Sequence, residues 1–133
     1  MDCRIVEGYE NMKLDQVVRL LRATYWADTR PVEVIEKSLR HSACFGVYLP
    51  GSDQLVGFAR VISDEATTYY LSDVVVDPAW RGRGLGKSLV GHIVAHPAYA
   101  RLRGFLITRD AHALYRPFGF EVVNDRVMVK PRG

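Results

Sequence analysis

Arg81-Gly82-Arg83-Gly84-Leu85-Gly86-Lys87-Ser88 is the stretch on which the reading of this chain turns. It follows an apolar run that ends Val74-Val75-Val76-Asp77-Pro78. It leads into a helix expected over 84–96, with Leu85, Leu89, Val90, Ile93 and Val94 on its inner face. Glycine lets main chain approach a ligand closely and adopt positive φ, and the free N–H groups at a helix start bind phosphate. The loop therefore suits a pyrophosphate. Two familiar phosphate loops fail on spacing: an ATP-binding P-loop would need glycine where Arg81 stands, and a dinucleotide fingerprint starting at Gly82 would need glycine at Lys87. What remains is R-x-x-G-x-G, from Arg81 through Gly84 to Gly86.

Working outward, the C-terminal side reads as a strand over Gly104 to Thr108, then a short helix from His112 to Phe118 stopped by Gly119. The strands Phe120 to Val123 and Arg126 to Lys130 would close it as a hairpin across Asn124-Asp125. On the N-terminal side, residues 3–7 suit an edge strand. Asn11 suits the cap of a helix over 12–24. Pro31 suits the first position of a second helix, whose buried stripe would be Val34, Ile35 and Leu39. Phe45 to Leu49, Leu55 to Ser63 and Thr68 to Val76, separated by turn residues, read as an antiparallel meander. The order β-α-α-β-β-β-α-β-α-β-β excludes a plain doubly wound sheet. It implies an α/β fold of the α+β type: a mixed, mostly antiparallel sheet flanked by helices.

Length and composition agree with one domain over residues 1–133. With 48% apolar and 25% charged residues, the 133-residue chain is neither disordered nor fibrous. Two cysteines, Cys3 and Cys44, are too few for a disulfide scaffold, and no apolar run reaches the length of a membrane helix. A soluble, cytoplasmic protein is expected. The net charge of +3 conceals an asymmetry. Residues 1–78 carry 8 Lys/Arg against 12 Asp/Glu, and residues 79–133 carry 10 against 3. A polyanionic ligand held by the second half fits that division. Nucleic acid is not expected, because no recognition helix and no exposed aromatic ladder is evident.

R-x-x-G-x-G, preceded by Val-Asp-Pro and followed by a Leu/Val helix, resembles the acyl-CoA-binding signature of the GNAT superfamily of N-acyltransferases. Tyr115-Arg116-Pro117-Phe118-Gly119-Phe120, about 30 residues beyond the loop, is similar to that family's Tyr and aromatic-Gly-aromatic segment. The resemblance implies acetyl-CoA as acyl donor, no metal, and direct attack by an amine in a ternary complex. Backbone N–H groups from Gly82 through Gly84, Leu85, Gly86 and Lys87 to Ser88 would take the pyrophosphate. Arg81, Arg83 and Lys87 would add charge. Val74, Val75 and Val76 would pair through their main chain with the pantetheine arm, and an N–H near Val74 would polarise the thioester carbonyl. Tyr115 is implied as the general acid toward the CoA thiolate.

The base is open. Relatives often place Glu four residues before the Val76 position, where this chain has Ser72, so Asp73, a water relay or His112 would have to serve. Relatives commonly hold pantetheine with Asn in the crossover where this chain offers Thr108 and Asp110. Asp110 also suits a helix cap. His92 and His96 have ligand-like i, i+4 spacing, but no third ligand is evident. The acceptor pocket draws on Tyr25, Trp26, Arg30, Phe45, Arg60, Tyr69 and Ser72. The acid excess of residues 1–78 favours a cationic amine, and Arg30 and Arg60 suit a carboxylate on the same molecule. A small-molecule acceptor is expected. Acetylation of a protein amine, or an acyl-CoA-binding module without strong catalysis, are the alternatives, and a homodimer is left open.

Overall fold

Five strands and four helices make up the computed structural model, which describes residues 3–133. The strands are β1 (Arg4–Glu7), β2 (Ala43–Tyr48), β3 (Leu55–Ser63), β4 (Thr68–Val76) and β5 (Arg103–Phe105), and they lie in the order β1-β2-β3-β4-β5. The first three pairings are antiparallel and β4–β5 is parallel, as the antiparallel block joined to a crossover predicts. The helices are α1 (Leu14–Arg22), α2 (Val32–Arg40), α3 (Leu85–Val94) and α4 (His112–Tyr115). None of the described helices is long and apolar enough to cross a membrane.

Because the sheet is covered on both faces, it has two cores. On one face Val17, Leu20 and Leu21 of α1 and Ile35 and Leu39 of α2 meet Cys44, Tyr48, Phe58 and Val75. On the other, Leu85, Leu89, Val90 and Ile93 of α3 meet Phe45, Val47, Ala59, Val61, Tyr69 and Leu71, with Tyr99 and Tyr115 closing the end. Residues 3–7, the meander and the α3 stripe are thus where the sequence places them.

Several local expectations are corrected. Asn11 does not cap α1. It sits in a 3-10 turn and its Nδ2 donates to the Glu7 carbonyl at 2.8 Å, so the helix starts at Leu14. Pro31 stands one residue before α2, at its N-cap, and Val34 faces solvent while Ile35 and Leu39 point inward. The strand expected over 104–108 is only Arg103–Phe105, because it pairs with β4 at Thr68–Tyr70 alone. The closing hairpin is absent: residues 120–133 form no strand, and Val122, Val123, Val127, Met128 and Val129 are exposed.

β5 lies so close to the core that Gly104 is required. A Cβ there would stand 2.5 Å from Tyr69 Cζ, and the Tyr69 ring is buried against Tyr99 at 5.3 Å. Gly104→Ala is expected to destabilise the fold by about 1–3 kcal/mol through overpacking, read as a lower urea midpoint at unchanged m-value.

Candidate active site

β4 and β5 separate after three residue pairs. β4 continues from Leu71 to Val76 with no strand on its outer side, which leaves a wedge-shaped opening in the sheet. On its inner side β4 carries an extra residue. Arg60 faces Ser72 and Phe58 faces Val75, so two steps of β3 span three of β4, and neither Asp73 nor Val74 has a partner in the register. Asp73 absorbs the bulge with φ of 54°. The bulge inverts the side-chain phase: Tyr69 and Leu71 pack toward α3, and beyond it Val74 and Val76 do so, while Val75 turns to the α1/α2 core. Val74 thus stands at the opening without a register partner in β3 or β5.

A buried charge cluster holds the bulge. Asp73 accepts from Trp26 Nε1 at 2.8 Å, Arg30 Nη1 at 2.8 Å and Arg60 Nε at 2.9 Å. Arg60 also donates to Ser72 Oγ and Ser42 Oγ, both at 3.2 Å. Burial would raise the Asp73 pKa. The hydrogen bond from Arg30 and the charges of Arg60 and Arg30 outweigh it, and the carboxyl titrates below its ordinary value. Such a carboxylate is a poor proton acceptor, so the base role expected of Asp73 gives way to a structural one. Arg30 and Arg60 likewise pair first with Asp73, and Ser72 serves Arg60.

The glycine loop lies beyond the far end of β4. Asp77 caps the 3-10 turn Pro78–Trp80 by accepting from Ala79 N, and its ion pair is with Arg19 at 2.8 Å rather than with Arg81. Gly82 and Gly84 take φ of 78° and 77°, and a Cβ on either would meet nothing within 4 Å. Gly84 is the N-cap of α3, so the Leu85, Gly86 and Lys87 N–H groups have no intrahelical acceptor. Leu85 buries its side chain, whereas Lys87 and Ser88 are exposed. Arg83 lies over the Trp80 ring at 4.5 Å, an anchor not evident from the motif.

The opposite wall is the segment after β5. Thr108 Oγ1 accepts from Ala111 N at 2.9 Å and shapes the turn into α4. The cap expected of Asp110 is not made: Ala111 is the N-cap of α4, and no side chain caps the helix. Asp110 is exposed, 4.0 Å from Arg109. Arg109 lies over the Tyr25 ring at 3.7 Å, and Tyr25 meets Trp26 edge-on at 5.0 Å, so the α1–α2 connection reaches both walls. Tyr115 is buried, with Phe120 edge-on at 6.0 Å. Burial, with smaller contributions from Asp110 and Tyr25, pushes its pKa up to about 12. His112 opens α4 on the same face as Tyr115, and no hydrogen bond joins the two among the described residues.

Two expectations leave the site. Phe45 and Tyr69 are buried in the α3-side core and line no acceptor pocket. His92 and His96 both direct Nε2 to Glu7, at 2.9 and 3.0 Å, tying α3 to β1. Trp26 and Tyr25 are exposed.

With this geometry in view, the similarities to known proteins are specific. Residues 40–122 match the acetyltransferase (GNAT) domain. A crystal structure from Xanthomonas campestris pv. campestris, described as belonging to the GNAT family, superimposes with a TM-score of 0.90. It shares 36% identity over 99% of this chain and 94% of that one. An uncharacterized N-acetyltransferase, ycf52, from Porphyra purpurea is 28% identical over 84% of this chain. An aminoglycoside N-acetyltransferase solved with CoA shares the fold, with a TM-score of 0.73 at 17% identity. The chain belongs to the GNAT acetyltransferase family. It spans 32% to 66% of the length of several curated relatives.

Asp73→Asn removes the charge that two buried guanidiniums share. It is expected to cost about 3 kcal/mol in denaturant unfolding at neutral pH. The folded carboxyl titrates below its unfolded value of about 3.9, so its contribution is complete above that pH and is lost as pH falls through the folded pKa. The stability difference between wild type and Asp73→Asn should therefore narrow only below about pH 4.

Proposed function

We propose that this chain transfers an acetyl group from acetyl-CoA to an amine of a small molecule, by direct attack within a ternary complex. The observation that carries the proposal is the unpartnered edge of β4 at the Asp73 bulge, with the bare start of α3 at one end and buried Tyr115 across from it. The residues suit the donor. Orphan N–H groups at the start of a ten-residue helix, with the positive end of its dipole, complement a pyrophosphate. The open space at Gly82 and Gly84 leaves room for it. Arg81 and Lys87 supply charge from the rim, and Val74 to Val76 offer main chain along the open edge to an extended amide-bearing arm.

The chemistry follows from what these groups can do. The Val74 N–H is the candidate donor to the carbonyl oxygen as the tetrahedral intermediate forms, a contribution of about 3–4 kcal/mol in other enzymes. Burial keeps the Tyr115 phenol protonated throughout the working pH range, so it stands ready to donate to the departing sulfur. Asp73 is committed to Arg30, Arg60 and Trp26 and does not serve as the base. The amine must lose its proton to water, or through His112. The acid excess of residues 1–78 favours a cationic acceptor seated against Trp26 and Tyr25. Cys3 and Cys44 are unpaired thiols, which supports a reducing, cytoplasmic setting.

Ser72 and the engaged Asp73 also favour a second reading, an acyl-CoA-binding module with weak catalysis. Thiol release from acetyl-CoA over a panel of amines separates the two: turnover with any amine supports the enzyme, and binding without turnover supports the module. For the enzyme, kcat/KM should rise with pH toward each amine's own pKa. A pH limb unchanged across amines of different pKa would contradict this.

Two substitutions test the assignments. A Cβ on Gly86 would meet Val76 Cγ2 at 3.5 Å and Leu114 Cδ1 at 3.8 Å, ordinary contacts that the fold tolerates. Gly86→Glu should therefore fold and lose acetyl-CoA affinity by about tenfold or more in calorimetry, through bulk and charge at the helix start. Tyr115→Phe keeps the packing and removes the proton. Turnover should fall roughly 10²-fold while acetyl-CoA affinity stays near that of wild type.

A further inference from the structure

Arg30 and Arg60 are the guanidiniums that the sequence offers to a carboxylate on the acceptor, and the fold commits both to Asp73. Their side chains keep only 13% and 12% of their surface in solvent. Arg60 turns its two terminal nitrogens to Ser42 and Ser72. A carboxylate arriving from solvent would have to displace Asp73 and break a buried charge cluster, which is strongly unfavourable.

Arg109 is placed differently. It follows Thr108 on the wall that leads to Tyr115, and 67% of its side-chain surface is exposed. Its guanidinium lies 3.7 Å over the ring of Tyr25, in the α1–α2 connection. Tyr25 meets Trp26 edge-on at 5.0 Å, and Trp26 Nε1 donates to Asp73, the neighbour of Val74. Two side chains thus connect Arg109 to the bulge. A guanidinium stacked by one face on a ring is held in orientation while its in-plane N–H donors point away from that ring. Such a fork takes a carboxylate through two parallel hydrogen bonds. Asp110 stands 4.0 Å away and is itself 66% exposed, a weak surface pair that leaves the fork unfilled.

We propose that Arg109 anchors the acceptor, and that the acceptor is an amine that also carries a carboxylate, held by Arg109 at one end while its amine reaches the Val74 end of β4. This inference rests on the acetyl-transfer reading above. It divides the two charges of the acceptor between two surroundings: the amine faces the acid-rich first half of the chain, and the carboxylate faces a guanidinium from the basic second half. The acceptor's own chain spans the interval between anchor and reacting end, so the separation of carboxylate from amine is selected together with the charge.

The test sets α-amino acids and straight-chain ω-amino acids against the amines left when their carboxylates are removed. Each pair is measured by thiol release from acetyl-CoA and by calorimetry on the CoA-loaded protein. Wild type should prefer at least one carboxylated member over its counterpart by about tenfold or more in kcat/KM, and bind it more tightly. Arg109→Gln alters an exposed side chain and should unfold as cooperatively as wild type. It should raise KM for the carboxylated member by about tenfold with kcat nearly constant, and change its counterpart much less. Equal losses for both members overturn the proposal, because a residue that only packs on Tyr25 acts on both alike. A preference that survives Arg109→Gln, or a wild type with no carboxylate preference in either assay, overturns it too. If no amine turns over while calorimetry still shows the carboxylated member held through Arg109, the anchor stands and the acetyl-transfer reading falls.

Discussion

A single buried carboxylate ties together three parts of the chain that are far apart in sequence. Asp73 accepts from Trp26 and Arg30 of the α1–α2 connection and from Arg60 of β3, while itself sitting in left-handed conformation in β4. Such a conformation is uncommon for a non-glycine residue and persists where its surroundings over-determine it. The surroundings here are two guanidiniums and an indole N–H. The extra residue they hold turns the end of β4 by one side-chain phase, leaves Val74 without a register partner, and draws the α1–α2 connection across the opening. Fold and site therefore share one electrostatic constraint.

That constraint was the part of the chain least legible in its sequence. The glycine loop, the α3 stripe and the meander were readable because their signals are local: glycine spacing, helical period, turn residues. Strand alternation is also local, but it assumes two residues per step without interruption. A bulge breaks the count with no marker of its own, since Asp73 is neither glycine nor asparagine. Phe45 and Tyr69 were misplaced for a related reason. Aromatic residues on a half-buried strand suit a pocket wall and a core equally, and only the helix that covers their face decides between them. The tail shows the same limit: its valines announce a strand that the fold does not form.

The two titratable groups at the opening are driven apart by opposite environments. Asp73 and Tyr115 are both buried, so desolvation disfavours the charged form of each. At Asp73 the guanidiniums reverse the outcome and the group stays ionised. At Tyr115 nothing does, Asp110 adds to the effect, and the phenol stays neutral. The result is a fixed anion that organises and a fixed neutral donor that can give up a proton, with neither suited to accept one at neutral pH.

The opening is framed unequally, and the inequality bears on where it can flex. One side is β4, paired over most of its length to β3 and locked at Asp73. The other is β5, three residues long, continued by a segment without strand partners among the described residues. Local opening concentrates where pairing is thin and backbone is solvent-exposed. Tyr115 depends on that thinner side, and what holds it is apolar: its own burial against the α3-side core and the Phe120 ring beside it. Its position is thus set by packing rather than by a directed hydrogen bond. Held by its ring, the phenol makes no side-chain hydrogen bond among the described residues.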